Sequence, residues 1–172
     1  CEGLNRVVVH GFSHNPDGYG YPGIVYHAGT HYNDRRVWWT KIRPFNDYLA
    51  RISSVFQKSA FFADVLYYYG DAIPNYAGPK NGRFSAGQGY DYEVINTEIL
   101  KKVIVKNKKL VLPGGAEFSL LVVEEEGKTD PDITLKINEL KGKGAVITTS
   151  SSESSAIREI LSSMGIPPDL NY

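Results

Sequence analysis

Apolar residues recur along this chain in short blocks rather than in long periods, and the blocks differ in kind. Val7, Val8 and Val9 form an unbroken β-branched run, which fits a parallel strand covered on both faces better than an alternating, half-wet one. The spacing predicts a buried strand over 5–10 that delivers His10 to a turn. From Ser13 to Asn33 neither a period of 2 nor one of 3.6 is sustained, and Gly, Pro, His, Tyr and Asp dominate. A loop of that length is functional or disordered, and its aromatics argue against disorder. Tyr48, Leu49, Ile52, Val55 and Phe56 then recur at helical spacing behind Pro44, which predicts a helix over 44–58 with its apolar stripe facing a sheet.

Beyond residue 60 the pattern becomes more regular. Ala63 to Tyr69 reads as a strand stopped by Gly70-Asp71, with Pro74-Asn75 marking a further turn. After a glycine-rich loop, Tyr90 to Asn96 reads as another strand, and Asn96 or Thr97 caps a short helix carrying Ile99, Leu100 and Val103. Val103 to Leu112 reads as a peripheral hairpin with a polar turn. Ser119 to Val123 and Ala145 to Thr149 are buried strands, separated by a helix that Asp130-Pro131 opens and Gly144 ends. Ser151 to Ser154 cap a last helix, closed by Gly165 and Pro167-Pro168. Strand, helix, strand, helix implies βαβ crossovers and a parallel sheet. The fold class is α/β, a small doubly wound domain preceded by one strand whose neighbours the chain does not supply. The expectation is a piece of a larger protein.

Composition removes several function classes. Over 172 residues, 19 basic and 19 acidic side chains cancel, leaving no electrostatic footprint for nucleic acid or an acidic membrane surface. Every apolar run is far shorter than the roughly 20 residues needed to span a bilayer, and no targeting signal is visible. Cys1 is the only cysteine, which excludes an internal disulfide and a cysteine-based zinc cluster. It also excludes glutamine-amidotransferase chemistry, which needs a cysteine on a strand-to-helix elbow. The 12 tyrosines and the pair Trp38-Trp39 concentrate before residue 93, and such rings stack on sugars or build interfaces.

Taken together, Gly3-Leu4-Asn5-Arg6-Val7-Val8-Val9-His10-Gly11, Gly29-Thr30-His31-Tyr32-Asn33, Trp38-Trp39, Tyr48-Leu49-Ala50-Arg51, Ala63-Asp64-Val65-Leu66-Tyr67-Tyr68-Tyr69-Gly70 and Pro74-Asn75 form a distinctive series. It continues through Gly89-Tyr90-Asp91-Tyr92, Asn96, Leu112-Pro113-Gly114-Gly115 and Pro168-Asp169. This series resembles the α-L-rhamnosidases of glycoside hydrolase family 106. The resemblance implies a (β/α)₈ barrel that carries the glycosidase site, then an α/β domain of flavodoxin-like or glutamine-amidotransferase-like shape, then β-rich domains. It makes residues 1–40 the last barrel strand with its long active-site loop, and 41–172 the accessory domain. It also implies a periplasmic or secreted bacterial parent that cleaves terminal α-L-rhamnosides and whose catalytic carboxylates lie on earlier strands.

Candidate side chains follow. His10, at a strand's carboxyl end, is placed to hydrogen-bond a sugar hydroxyl or to hold a loop. Asn5, His31 and Trp38 are weaker candidates for sugar contact, with structural roles as the alternative. His14, His27 and His31 lack the spacing of a helical metal site, so neither metal nor cofactor is expected. Asp64 and Asp71 read as strand or turn residues, Ser150 to Ser155 as a cap rather than a phosphate cradle, and Glu124 to Glu126 as a solvated edge. No carboxylate pair of glycosidase type is nominated. The expected partners are the rest of the parent chain and, in the intact enzyme, its carbohydrate. The competing function is a noncatalytic carbohydrate-binding or assembly module of the same α/β fold.

Overall fold

The computed structural model describes residues 4–25, 27, 32–70, 76–124, 131–149 and 154–169. Its contacts divide the chain into two compact units between Ala60 and Phe61. That boundary lies beyond the expected one at 40/41, because the first helix makes its contacts within the amino-terminal unit.

In the carboxyl-terminal unit, β1 (Val65–Tyr68), β2 (Tyr92–Ile95), β6 (Leu120–Val123) and β7 (Val146–Thr149) form one sheet in the order β2-β1-β6-β7. All three pairings are parallel. The expectation of a mostly parallel sheet holds. Side chains alternate across it, and both faces are covered, as the continuous apolar runs require. Leu66, Tyr68, Leu121 and Val123 pack on one side with Leu100 of α2 (Thr97–Lys102) and Ile133 and Leu140 of α3 (Pro131–Gly142). Val65, Tyr67, Leu120 and Val122 pack on the other with Phe84, Ala86 and Ile157 and Leu161 of α4 (Ser154–Ser163). Every residue of β1 and β6 is buried.

Local chemistry sets the element ends. Asn96 caps α2 by accepting the Ile99 N–H at 3.0 Å. Gly144, at φ 91°, ends α3 in a conformation that side chains disfavour. β3 (Ile104–Lys106) and β4 (Lys109–Val111) turn through Asn107 and Lys108, both at positive φ, as a two-residue hairpin demands. The hairpin is not peripheral: Val103 and Leu110 are fully buried in the first core cluster. It also gains β5 (Glu117–Phe118), which pairs with β4 and buries Phe118 in the same cluster.

The amino-terminal unit is less conventional. The expected buried strand over 5–10 forms no ladder among the described residues, where the first pairing is the parallel bridge Phe12–Tyr32. Val8 is 82% exposed. No described residue of this unit forms the ladder that such a segment needs. The helix α1 (Ile42–Lys58) starts two residues earlier than expected, with Pro44 still in its first turn where a missing N–H does no harm. Its stripe is not covered by a sheet: no α1 residue is buried, and Tyr48, Val55 and Phe56 are each exposed.

Candidate functional site

Within the amino-terminal unit, the extended segment and α1 are tied side by side. Gln57 Nε2 donates to the Asn5 carbonyl at 3.2 Å, and the Arg6 guanidinium donates to Gln57 Oε1 at 3.1 Å. Between them runs a groove of about 600 Å³ lined by Val7, Val9, Tyr32, Trp38, Lys41, Ile42, Phe45 and Leu49. One wall is aromatic. Trp39 sits between Phe12 and Tyr32, with centroids 5.6 and 5.0 Å away and both rings edge-on. Tyr32 is fixed by its hydroxyl, which donates to Asn46 Oδ1 at 2.6 Å. Packing thus occupies Trp39 and leaves Trp38 to line the groove.

Of the described candidate sugar contacts, Trp38 lines this groove. His10 and Asn5 are exposed beside it, Asn5 with its carbonyl taken by Gln57. His31 lies outside the described residues, as do Asp71, Glu125, Glu126 and Ser150 to Ser152. His14 and His27 are exposed, and among the described residues no three His, Cys, Asp or Glu side chains group as a metal would require. Sequence reasoning missed Asn33, which is fully buried. Its Oδ1 accepts the Arg35 N–H at 2.9 Å, while Nδ2 has no partner among the described residues. An Asn two residues before a chain reversal carries the signal of an Asx turn.

In the carboxyl-terminal unit, successive strands reverse direction of growth at β1, since β2 lies on one side and β6 and β7 on the other. Open α/β sheets collect ligands at the carboxyl ends around such a point. Among the described residues, side chains from other segments meet there. Glu124, whose N–H donates to the Tyr68 carbonyl at 3.0 Å, forms an ion pair with Arg83, which also donates to the Tyr76 carbonyl at 3.0 Å. The Tyr67 hydroxyl donates to the Ser85 carbonyl at 2.7 Å, and burial pushes its pKa up to about 12, so it stays neutral. Glu124, expected as part of a solvated edge, is largely covered.

At the opposite, amino-terminal edge the charges are more unusual. Asp64 is not part of a strand or turn: it stands just before β1, 4% exposed, with Oδ2 unpartnered among the described residues. Burial, above all, and then the charge of Asp169 raise its pKa. Nearby Asp91 is the reverse case. Burial alone would raise it, but the Lys80 ammonium and the Tyr92 N–H bonded to its carboxylate bring it below the usual range. Nothing in the spacing of these residues signals that they meet.

The α-L-rhamnosidase model of glycoside hydrolase family 106 matches residues 1–163. A protein of Formosa agariphila named "Putative beta-glucuronidase" is 33% identical over 151 residues, which are 86% of this chain and 12% of that protein. The rhamnosidase structure from Novosphingobium sp. PP1Y superposes with a TM-score of 0.62 at 20% identity, over 81% of this chain and 17% of its own. That likeness speaks to the fold. The chain therefore spans a small fraction of the length of both relatives. By the family model, which covers most of its length, this chain belongs to the α-L-rhamnosidase family of glycoside hydrolases, family 106.

Proposed function

We propose that this chain works as part of a longer glycoside hydrolase, in which residues 4–60 complete a (β/α)₈ barrel and 61–172 form a supporting, flavodoxin-like α/β domain. The observation that carries this reading is the bare strand-and-helix pair of the amino-terminal unit. An extended Val7-Val8-Val9 segment without a ladder lies beside a 17-residue helix with no buried residue. Backbone groups and apolar stripes of that kind are stable when neighbouring β and α elements cover them. The order β2-β1-β6-β7 supports the flavodoxin-like part, because in chain order the parallel strands run 2-1-3-4.

In this reading His10 stands at the carboxyl end of a barrel strand, where sugar-binding side chains gather, and Trp38, with His31 and Asn5, forms one wall of the pocket. The pocket's acid and base come from the remainder of the longer protein, which cleaves a terminal α-L-rhamnoside. The chain alone is then inactive. Incubation with an aryl α-L-rhamnoside, and with an aryl β-glucuronide in view of the Formosa relative's name, is expected to give no turnover. Turnover abolished by substituting a carboxylate of this chain would overturn the proposal. A second reading, a carbohydrate-binding module, is favoured by the Phe12, Tyr32, Trp38 and Trp39 cluster. It requires that the isolated chain bind rhamnose, with Trp38 fluorescence responding; a pocket wall alone does not.

A further inference from the structure

The charges of this chain cancel overall, yet they are not evenly spread. From Thr97 to Glu117 the sequence places five lysines, Lys101, Lys102, Lys106, Lys108 and Lys109, against Glu98 and Glu117. All five are exposed. Lys101 and Lys102 lie in the last turn of α2, where positive charge suits the helix end and needs no other explanation. The three lysines of the β3–β4 hairpin are not explained in that way.

Two rules of hairpin construction are broken at its tip. Pairing sets Lys106 directly opposite Lys109, and like charges in that relation destabilise a sheet. Val105 and Leu110, the next pair along, turn inward to the first core cluster, so both ammonium groups stand on the outer face. Lys109 is answered by Glu117 at 3.9 Å; Lys106 and Lys108 have no acidic partner among the described residues. Lys108 also takes φ 64°, beside Asn107 at 52°, in the second turn position that glycine fills without strain. Its stem reaches the turn that ends α3, since a Cβ on Gly144 would stand 3.9 Å from Lys108 Cγ. Lys141 and the Glu139-paired Lys143 lie just before that glycine, both exposed. Natural sequences break local rules of this kind chiefly where function requires it.

We propose that the β3–β4 tip, with the adjoining end of α3, is a docking surface for an acidic polysaccharide, whose anionic groups meet the ammonium groups of Lys106, Lys108 and Lys109. Lysine acts as a flexible point charge, suited to a polyanion of variable shape, whereas arginine reads a fixed planar group. Between Thr97 and Glu117 there is no arginine to read a base edge and no aromatic ring on which a base could stack. Ile104 is the one large apolar side chain listed as exposed in this stretch, too little to anchor a membrane. Membership of a glycoside hydrolase family makes carbohydrate the fitting polyanion.

Calorimetric titration of the 172-residue chain with polygalacturonate is expected to show binding that weakens as salt rises, with neutral dextran inert. Lys106→Gln/Lys108→Gly removes two charges and both irregularities, so it should bind at least about tenfold more weakly, a change of roughly 1.4 kcal/mol, and yet melt at a higher temperature than the unaltered chain. Arg43→Gln/Lys58→Gln, which takes the same charge from the amino-terminal unit, should leave binding unchanged. If the hairpin variant does not fold, footprinting decides: polygalacturonate should protect Lys106 and Lys108 of the unaltered chain from acetylation and leave Lys58 reactive. No binding, a folded hairpin variant that binds as the unaltered chain does, no protection, equal binding of dextran, or tighter binding of duplex DNA or phosphatidylglycerol vesicles would each overturn the proposal.

Discussion

Replacing Asp64 by asparagine probes the one carboxyl that the carboxyl-terminal unit buries without a partner for Oδ2 among the described residues. Burial is the main reason its pKa is raised; Asp169 adds to the effect, Lys109 opposes it and Asp91 adds again. An acid whose folded-state pKa exceeds its unfolded value binds its proton more tightly when folded. Its stabilising contribution is therefore complete below the unfolded value near 3.9 and is lost as pH rises from there through the folded value. Above both, the folded state holds an ionised oxygen that lacks a donor. An unmet buried polar group destabilises by about 1–3 kcal/mol. Asparagine keeps the shape and carries no charge.

Asp64→Asn is thus expected to be more stable than the parent chain above neutral pH by roughly 1–3 kcal/mol, or on the order of 4 °C in Tm for each kcal/mol in a unit of this size. The gap should shrink steadily towards about pH 3, below the unfolded value, where Asp64 is protonated whether folded or unfolded. Thermal melts of both chains across that range provide the test. They should be followed by far-UV circular dichroism, because both tryptophans, Trp38 and Trp39, report on the other unit. The quantity that matters is the difference between the chains, since other carboxylates titrate alike in both. A difference that stays constant with pH would refute the argument, since it would mean that Asp64 titrates alike in both states.

Three further outcomes are expected. Leu121→Ala, at a fully buried position of a central strand, should destabilise by about 3–5 kcal/mol in urea unfolding; a loss below about 1 kcal/mol would mean that the core collapses around the gap. Asn96→Ala removes the cap on the Ile99 N–H and should destabilise by about 1 kcal/mol in the same assay, with Asn96→Asp restoring most of it. Amides of residues 5–12 should exchange rapidly in dilute solution while those of Leu120 to Val123 exchange slowly, as befits an extended segment without a ladder beside a buried central strand; equal protection would show that 5–12 is an integral strand.

The central sheet was legible because its signal is one of composition. A run such as Leu120 to Val123, apolar at every position and four residues long, has few homes other than a strand covered on both faces. Helix ends were legible for a similar reason, since Asn96 and Gly144 act on the backbone beside them. β5 was not, because two residues carry no period, and Glu117-Phe118 becomes a strand only when β4 lies alongside. The buried hairpin was misjudged on the same ground: its charged turn was visible, but the place of Leu110 depends on Phe118 and the sheet beneath.

The amino-terminal unit shows the sharper limit. Periodicity reports the face a helix would bury and not whether anything is present to bury it. Tyr48, Val55 and Phe56 marked α1 correctly and its cover wrongly. Valines 7–9 likewise signalled a strand that needs two neighbours, while no described residue of this unit forms a ladder with it. The candidate site inherits that limit. Trp38 reaches the groove because Trp39 is held by Phe12 and Tyr32, a division between adjacent rings that depends on contacts made at a distance in sequence. Asp64 was read as part of a strand because its neighbours were, yet its chemistry comes from Asp91, Lys109 and Asp169, which only the fold brings close. What the chain displays locally is where its backbone is comfortable; which side chains are left uncomfortable, and so available for chemistry or pairing, is decided by partners far along the sequence.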